Sequence, residues 1–197
     1  YPPHRNNRLQ TMADARAQRS RRALLDAGIE LLIQNPMASL SQIASHAGVG
    51  RATLYRHFET REQLIQALAI ESLEMTHQAM EPSKQQGLTG KAALEAMFHA
   101  IMPLADRYHF LLSLWGIAQN EEQVIAIYEQ QLLELTTLVE QGKELGELNR
   151  NLSTSWIVCS IDSLIYAAWW LMGHEGLSAE QAATNAIISL FNGVSCS

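Results

Sequence analysis

The chain has 197 residues, 47% of them hydrophobic and 17% charged, with a formal net charge of −6. It is too apolar for a disordered chain and long enough for a packed core, either one large domain or a small one joined to a larger. No uninterrupted apolar run reaches the roughly 18 residues of a membrane span, no signal-peptide pattern is read, and two cysteines, Cys159 and Cys196, make neither a disulfide framework nor a zinc spacing, so a cytoplasmic protein with no membrane association is expected.

Helical spacing of apolar residues recurs along nearly the whole sequence, and strand signals are weak. Residues 1–15 read as a flexible basic arm. A first helix is predicted over about Arg16–Gln34, with Ala23, Leu24, Ala27 and Leu31 on its apolar face. Asn35 and Pro36 stop it, because proline disfavours helix in the residue before it. A short second helix is predicted over Leu40–His46, opened by a capping box of Ser39 and Gln42. Gly48, Val49 and Gly50 break it, and a third helix follows from Arg51 to about Phe58. Thr60 and Gln63 form a second capping-box pattern, opening a fourth helix over about Arg61–Ala79. Residues 81–90, with Pro82 and two glycines, read as a linker. Five further helices are predicted over about Lys91–Arg107 with a kink at Pro103, Phe110–Gln119, Glu121–Leu145, Thr154–Gly173 and Ala179–Asn192, the last capped by Ser178 and Gln181.

Charge is distributed unevenly over these elements. Residues 1–64 carry nine arginines and five acids, net +4, whereas residues 65–197 carry five basic residues and fifteen acids, net −10. A basic end on an acidic body orients a molecule toward a polyanion, although ordinary scatter of surface charge reads the same way. The basic end also holds the two short helices around Gly48–Gly50, an arrangement suited to placing the second helix in a DNA major groove. Leu40, Ile43, Ala44, Val49 and Leu54 supply an inward face, and Gly48 can end the first of the pair in a left-handed conformation. Arg51, Ala52, Thr53, Tyr55 and His57 are left for the outside. Arg51 suits a guanine edge or a phosphate; the Ala52 and Thr53 methyls suit thymine; the Thr53 and Tyr55 hydroxyls and His57 suit phosphate oxygens. Arg61, in the first turn of the next helix, is a further candidate phosphate contact. Each residue alone also has a plain reading, a solvated arginine or a packing tyrosine or histidine.

Together, the residues from Ile43 to Leu64 resemble the signature of the TetR family of transcriptional regulators: Ile43-Ala44, then Ala47-Gly48-Val49, then Thr53-Leu54-Tyr55, then His57-Phe58, then Arg61-Glu62-Gln63-Leu64. Gly50 stands where serine is frequent, and Arg61 where lysine is usual. The resemblance implies an all-α fold: an N-terminal three-helix helix-turn-helix DNA-binding domain plus a C-terminal helical ligand-binding and dimerisation domain. In residue terms it implies a helix-turn-helix domain over 16–64 (motif about 39–58), a connecting helix over 65–80 and a regulatory domain over 81–197. By the same resemblance Arg51, Ala52, Thr53, Tyr55 and His57 fall at DNA-contacting positions, and Ser41 and Gln42 at the start of the preceding helix, where backbone contacts are common.

The helix over 154–173 is apolar on nearly every side and needs cover all round. A partner subunit can supply it, or the helix can be the central core of a monomer. The resemblance favours a homodimer through the last two helices, matched to a palindromic double-stranded operator. Met97, Phe98, Ile101, Trp115, Tyr128, Cys159, Asp162, Tyr166 and Trp169 are candidates to line a small-molecule site, and each equally reads as core filling. Asp162 stands out, because a carboxylate on an apolar helix is costly unless partnered. His99, Asp106 and His109 are poorly spaced for a metal, so no metal is expected. No phosphate loop, nucleophile elbow or acid pair is read, so neither catalysis nor a cofactor is expected. The expectation is a repressor released by a small, largely apolar or aromatic effector; a DNA-binding regulator controlled by a protein partner, or without a small-molecule effector, is the alternative.

Overall fold

The computed structural model describes the backbone of residues 4–194 and the side chains of residues 14–194. The order is α1 (His4–Gln34), α2 (Leu40–His46), α3 (Arg51–His57), α4 (Arg61–Gln85), α5 (Gly90–Ile101), a 3-10 turn (Met102–Leu104), α6 (Ala105–Ala118), α7 (Glu122–Glu144), α8 (Thr154–Glu175) and α9 (Ala179–Asn192). There is no strand among the described residues.

Local capping chemistry sets several boundaries. Ser39 accepts from the backbone of Gln42, whose side chain accepts in return from the backbone of Ser39, so the capping box that opens α2 is complete. The same reciprocal pair, Ser178 and Gln181, opens α9. At α4 only half the expected box forms: Thr60 accepts from Gln63, but the Gln63 side chain accepts from Glu59 instead. Gly48 takes a φ of 64°, a left-handed conformation that strains any residue with a Cβ, and so turns the chain from α2 toward α3.

Three boundaries differ from the sequence expectation. α1 begins at His4, so the segment read as a flexible arm is largely helical; Leu9, Gln10, Met12, Ala13 and Ala15 are good helix formers and no proline or glycine follows Pro3 there. α4 does not stop at Ala79 but runs through Pro82 into the supposed linker. Proline costs one backbone bond near the helix end, and compensation is close by. Gln86 donates to the Pro82 carbonyl, Leu88 to that of Ser83 across left-handed Gly87, and Lys84 pairs with Glu134 of α7 at 2.8 Å. Finally, Pro103 does more than kink a helix. It falls in the 3-10 turn that separates α5 from α6, and α6 then runs unbroken past Tyr108 and His109.

Two apolar cores lie side by side. The first gathers Leu24 and Leu32 of α1, Ile43 of α2, Leu54 of α3, and Leu64 and Leu68 of α4, and continues into Phe110 and Leu114 of α6 and Val124 of α7. Gly28 lets α1 approach α4 closely, since a Cβ there would meet Leu64 and Leu68 at 3.1 Å. The second core holds Leu94, Phe98 and Met102 with Val139 of α7, Ile161 of α8 and Ala183 of α9. Packing therefore does not divide at residue 64 or 80. α4 belongs to the N-terminal helices by its first half and to the larger helical domain by its second. α8 is long and apolar enough to cross a membrane by length and composition alone, but it packs against α6, α7 and α9 and carries Asp162 near its middle.

Candidate nucleic-acid interface and effector cavity

α3 shows the division of labour a recognition helix requires. Leu54 is fully buried and anchors it, while Arg51, Ala52 and Tyr55 are exposed and Thr53 and His57 half-buried. Tyr55 keeps half of its surface in solvent. Gly50 offers no side-chain cap, and the Thr53 amide donates instead to the Gly50 carbonyl at 3.0 Å. Arg56, in contrast, is turned back onto its own helix, donating to the Thr53 hydroxyl at 2.9 Å and the Ala52 carbonyl at 3.3 Å. Burial, with Arg21 and Arg56 nearby, pushes the His57 imidazole below its usual range and keeps it neutral at pH 7. Ser41 is half-buried; Gln42 is exposed, but its side-chain oxygen is engaged in the cap of α2.

Arg61 departs from its expected role. Its guanidinium is directed inward, with Nε donating to the Ala38 carbonyl at 2.8 Å and Nη2 donating to the Pro36 carbonyl. Those carbonyls lie in the proline-bent connection between α1 and α2, where no helix can satisfy them. Arg61 is a clamp on that loop rather than a cation free for phosphate.

The second site is a partly open cavity of about 660 Å³ lined by α4, α5, α6, α7 and α8. Met97, Ile101, Trp115, Tyr128 and Asp162, all singled out in the sequence, line it. Leu73, Thr76, His77 and Met80 line it from α4, and Tyr108 and Leu111 from α6. Reading this helix as a connector hides the α4 residues, for which the helical spacing of Leu73 and Met80 beyond Leu68 is the available signal. Thr76 and Gln131 join α4 to α7, the Gln131 amide donating to the Leu73 carbonyl at 2.7 Å.

Four candidate lining residues lie elsewhere. Phe98 is fully buried in the second core, about 100° round α5 from cavity-lining Met97. Cys159 and Tyr166 are exposed, because at about 100° per residue they fall some 40–60° beyond Asp162 toward solvent. Trp169 lies two turns past Asp162, where it stacks on His109 (centroids 3.4 Å, planes 7° apart) and donates to Asp106 at 2.9 Å.

Asp162 is the main polar feature of the cavity wall. The Tyr108 hydroxyl donates to its Oδ1 at 2.5 Å. Burial pushes the Asp162 carboxyl above the usual carboxylate range, and the Tyr108 hydrogen bond opposes that rise. Tyr108 is pushed far above the ordinary phenol range, by burial first and by the adjacent carboxylate second, and so remains a donor. Trp115 and Tyr128 sit together in the cavity wall, with ring centroids 4.6 Å apart.

An exposed short helix on a three-helix base, joined through α4 to a helical domain that holds a cavity, has the architecture of a helix-turn-helix transcriptional regulator. Residues 24–68 match the family described as bacterial regulatory proteins, tetR family. The chain is 36% identical over 87 residues to the HTH-type transcriptional repressor LfrR of Mycolicibacterium smegmatis, an alignment spanning 44% of this chain and 46% of that repressor. It is 21% identical over 188 residues to the HTH-type transcriptional regulator UidR of Escherichia coli, covering 90% of this chain and 94% of that protein. Among solved structures, LfrR from Mycobacterium smegmatis in complex with proflavine superposes with a TM-score of 0.72 at 23% identity, covering 91% of this chain and 98% of that one. The MbdR regulator from Azoarcus sp. CIB does so with a TM-score of 0.71 at 18% identity, covering 90% and 100%. Residues 24–68 thus match the DNA-binding region of tetR-family regulators, and the rest of the chain shares the fold of the solved regulators.

Proposed function

We propose that this chain is a cytoplasmic, dimeric repressor that reads a palindromic operator through α3 and is released by a small, largely apolar or aromatic effector held in the α4–α8 cavity. The observation that carries the DNA-reading half is the outward face of α3, where Arg51, Ala52 and Tyr55 stand exposed on a helix pinned by buried Leu54. Arg51 leads base or phosphate recognition, the Ala52 and Thr53 methyls touch thymine, and Tyr55 and His57 donate to the backbone, with Ser41 and Gln42 at its edge. Arg61 acts indirectly by holding the loop on which α2 is seated.

A second subunit is supported by the outer face of α8 and α9, where Trp156, Tyr166, Trp170 and Ile188 are all exposed large hydrophobic residues. A two-fold dimer would set two α3 helices on successive major-groove faces about 34–36 Å apart. The effector half is supported by the cavity, and by the proflavine bound in the LfrR structure.

Release requires the effector to prefer a dimer state in which the two recognition helices no longer match the groove spacing. α4 is the natural carrier, because Leu73, Thr76, His77 and Met80 line the cavity while Leu64, Ile65 and Leu68 of the same helix pack against α1 in the core that also holds Ile43 of α2 and Leu54 of α3. The test is nuclease footprinting of the purified full chain on the DNA upstream of its own gene. Protection of an inverted repeat is expected; uniform, salt-sensitive binding without a footprint overturns the reading.

A further inference from the structure

Asp162 faces a largely apolar cavity together with Tyr108, Trp115 and Tyr128. Its carboxylate receives one hydrogen bond, from Tyr108 at 2.5 Å, and it takes part in no ion pair among the described residues. The other acid in the wall, Glu134, is already paired with Lys84 at 2.8 Å. Glu81 engages both Lys84 and His77 at 3.5 Å. On the α4–α7 side Lys84 thus serves both Glu134 and Glu81, whereas Asp162 has no cationic partner among the described residues and places a negative charge in the wall of an aromatic cavity.

A carboxylate has about four acceptor positions, of which Tyr108 fills one. A neutral apolar ligand would strip water from Asp162 without replacing it, and an anionic headgroup placed there would be repelled. A cation satisfies the remaining positions, and the electron-rich faces of Trp115 and Tyr128 attract the same charge.

We infer that the cavity takes a cationic aromatic molecule, a ring system bearing a protonated or quaternary nitrogen, with Asp162 as its counter-ion and Trp115 and Tyr128 as its aromatic walls. This rests on the cavity being the effector site. It adds charge selection, with fatty-acid-like and other anionic ligands excluded from the Asp162 end.

The experiment titrates the full chain, free of DNA, with three polycyclic aromatic probes of different charge: ethidium (cationic), 9-anthracenemethanol (neutral) and anthracene-9-carboxylate (anionic). The wild type, Asp162→Asn and the cavity-filling Leu135→Trp are compared, each checked for its helical melting transition. Asp162→Asn keeps an oxygen for Tyr108 and removes only the charge, so it is expected to fold at least as stably. Ethidium is expected to bind the wild type more tightly than the other probes and to weaken by about tenfold or more in Asp162→Asn. The neutral probe is expected to change by less than about twofold, a shift below the level of a single hydrogen bond. If ethidium binds Asp162→Asn as well as wild type, or the anion binds wild type as tightly as ethidium, the counter-ion assignment is overturned. Where the neutral probe is still blocked by Leu135→Trp in that event, the effector cavity stands and only charge selection fails. If no probe binds, or Leu135→Trp leaves all affinities unchanged, the cavity reading and the counter-ion assignment fall together.

Discussion

Arg107 of α6 donates to the carboxylate of Glu71 on α4 at 3.1 Å, with only 14% and 19% of the two side chains exposed. Arg22 of α1 holds the other oxygen of Glu71 at 3.0 Å. Three helices therefore meet on one carboxylate, and Arg107 is the residue next to Tyr108, the partner of Asp162 in the cavity wall. A displacement of Tyr108 by an effector would be felt at α1 through this junction. Arg107→Met is expected to destabilise the fold by about 1–2 kcal/mol, the scale of a partly buried charged hydrogen bond lost, read by urea unfolding. It should also reduce the effector's influence on operator affinity while leaving DNA binding without effector near wild type. An unaltered effector response would remove Arg107 from the coupling path.

Arg51→Ala combined with Tyr55→Phe is expected to weaken operator binding by about 1–3 kcal/mol for a lost base contact, plus a smaller loss for a phosphate hydrogen bond. Fluorescence anisotropy across a salt series measures it. Both residues are exposed, so the melting transition should hardly move. Operator affinity that stays at the wild-type value at moderate salt would show that α3 is not the reading helix.

Arg61 gives the opposite pattern. Its hydrogen bonds to Ala38 and Pro36 are internal. Arg61→Ala should lower stability by about 1 kcal/mol, the scale of hydrogen bonds lost from a partly buried side chain. The salt dependence of DNA binding should not change, whereas losing a phosphate contact would lower that slope by roughly one. The two readouts separate a loop clamp from a DNA contact.

His57 and His109 are both held below the usual histidine value of 6.5, chiefly by burial, with Arg21 and Arg56 adding to the effect at His57 and Asp106 opposing it at His109. A depressed histidine pKa means the unfolded chain takes up the proton first. The associated stability is present above about pH 6.5 and is lost as pH falls through that value. Replacing both with glutamine should flatten the decline of the melting midpoint between about pH 7 and 5, the window in which an unperturbed histidine charges. A slope identical to wild type would contradict the assignment.

Trp156 and Ile188 are 65% and 48% exposed on the outer face of α8 and α9. Trp156→Glu with Ile188→Asp should yield a folded monomer in sedimentation equilibrium, because it places charges inside the proposed two-fold contact. Operator affinity should fall with it, since each half-site would then be bound alone. A wild-type protein that already sediments as a monomer at micromolar concentration would dismiss the interface.

Much of this was written in the sequence. The α2–α3 pair was legible because its signals are local: a capping box at Ser39 and Gln42, a glycine at position 48 that must turn left-handed, and apolar residues spaced to pack inward. Such features act within a few residues and need no knowledge of the rest of the chain. Asp162 was conspicuous for an equally simple reason, a carboxylate amid apolar neighbours. Tertiary structure decided everything that depends on which faces meet. It carried α4 through Pro82, because α7 supplies Glu134 to the end of that helix. It put Trp169 against His109 and left Cys159 and Tyr166 outside the cavity, although all three share a helix with Asp162. It turned Arg61 from solvent to the carbonyls of a loop more than 20 residues earlier. Periodicity states that a residue has an inside or an outside; only the packed neighbours determine whether that inside is a core, a cavity wall or the surface awaiting a second subunit.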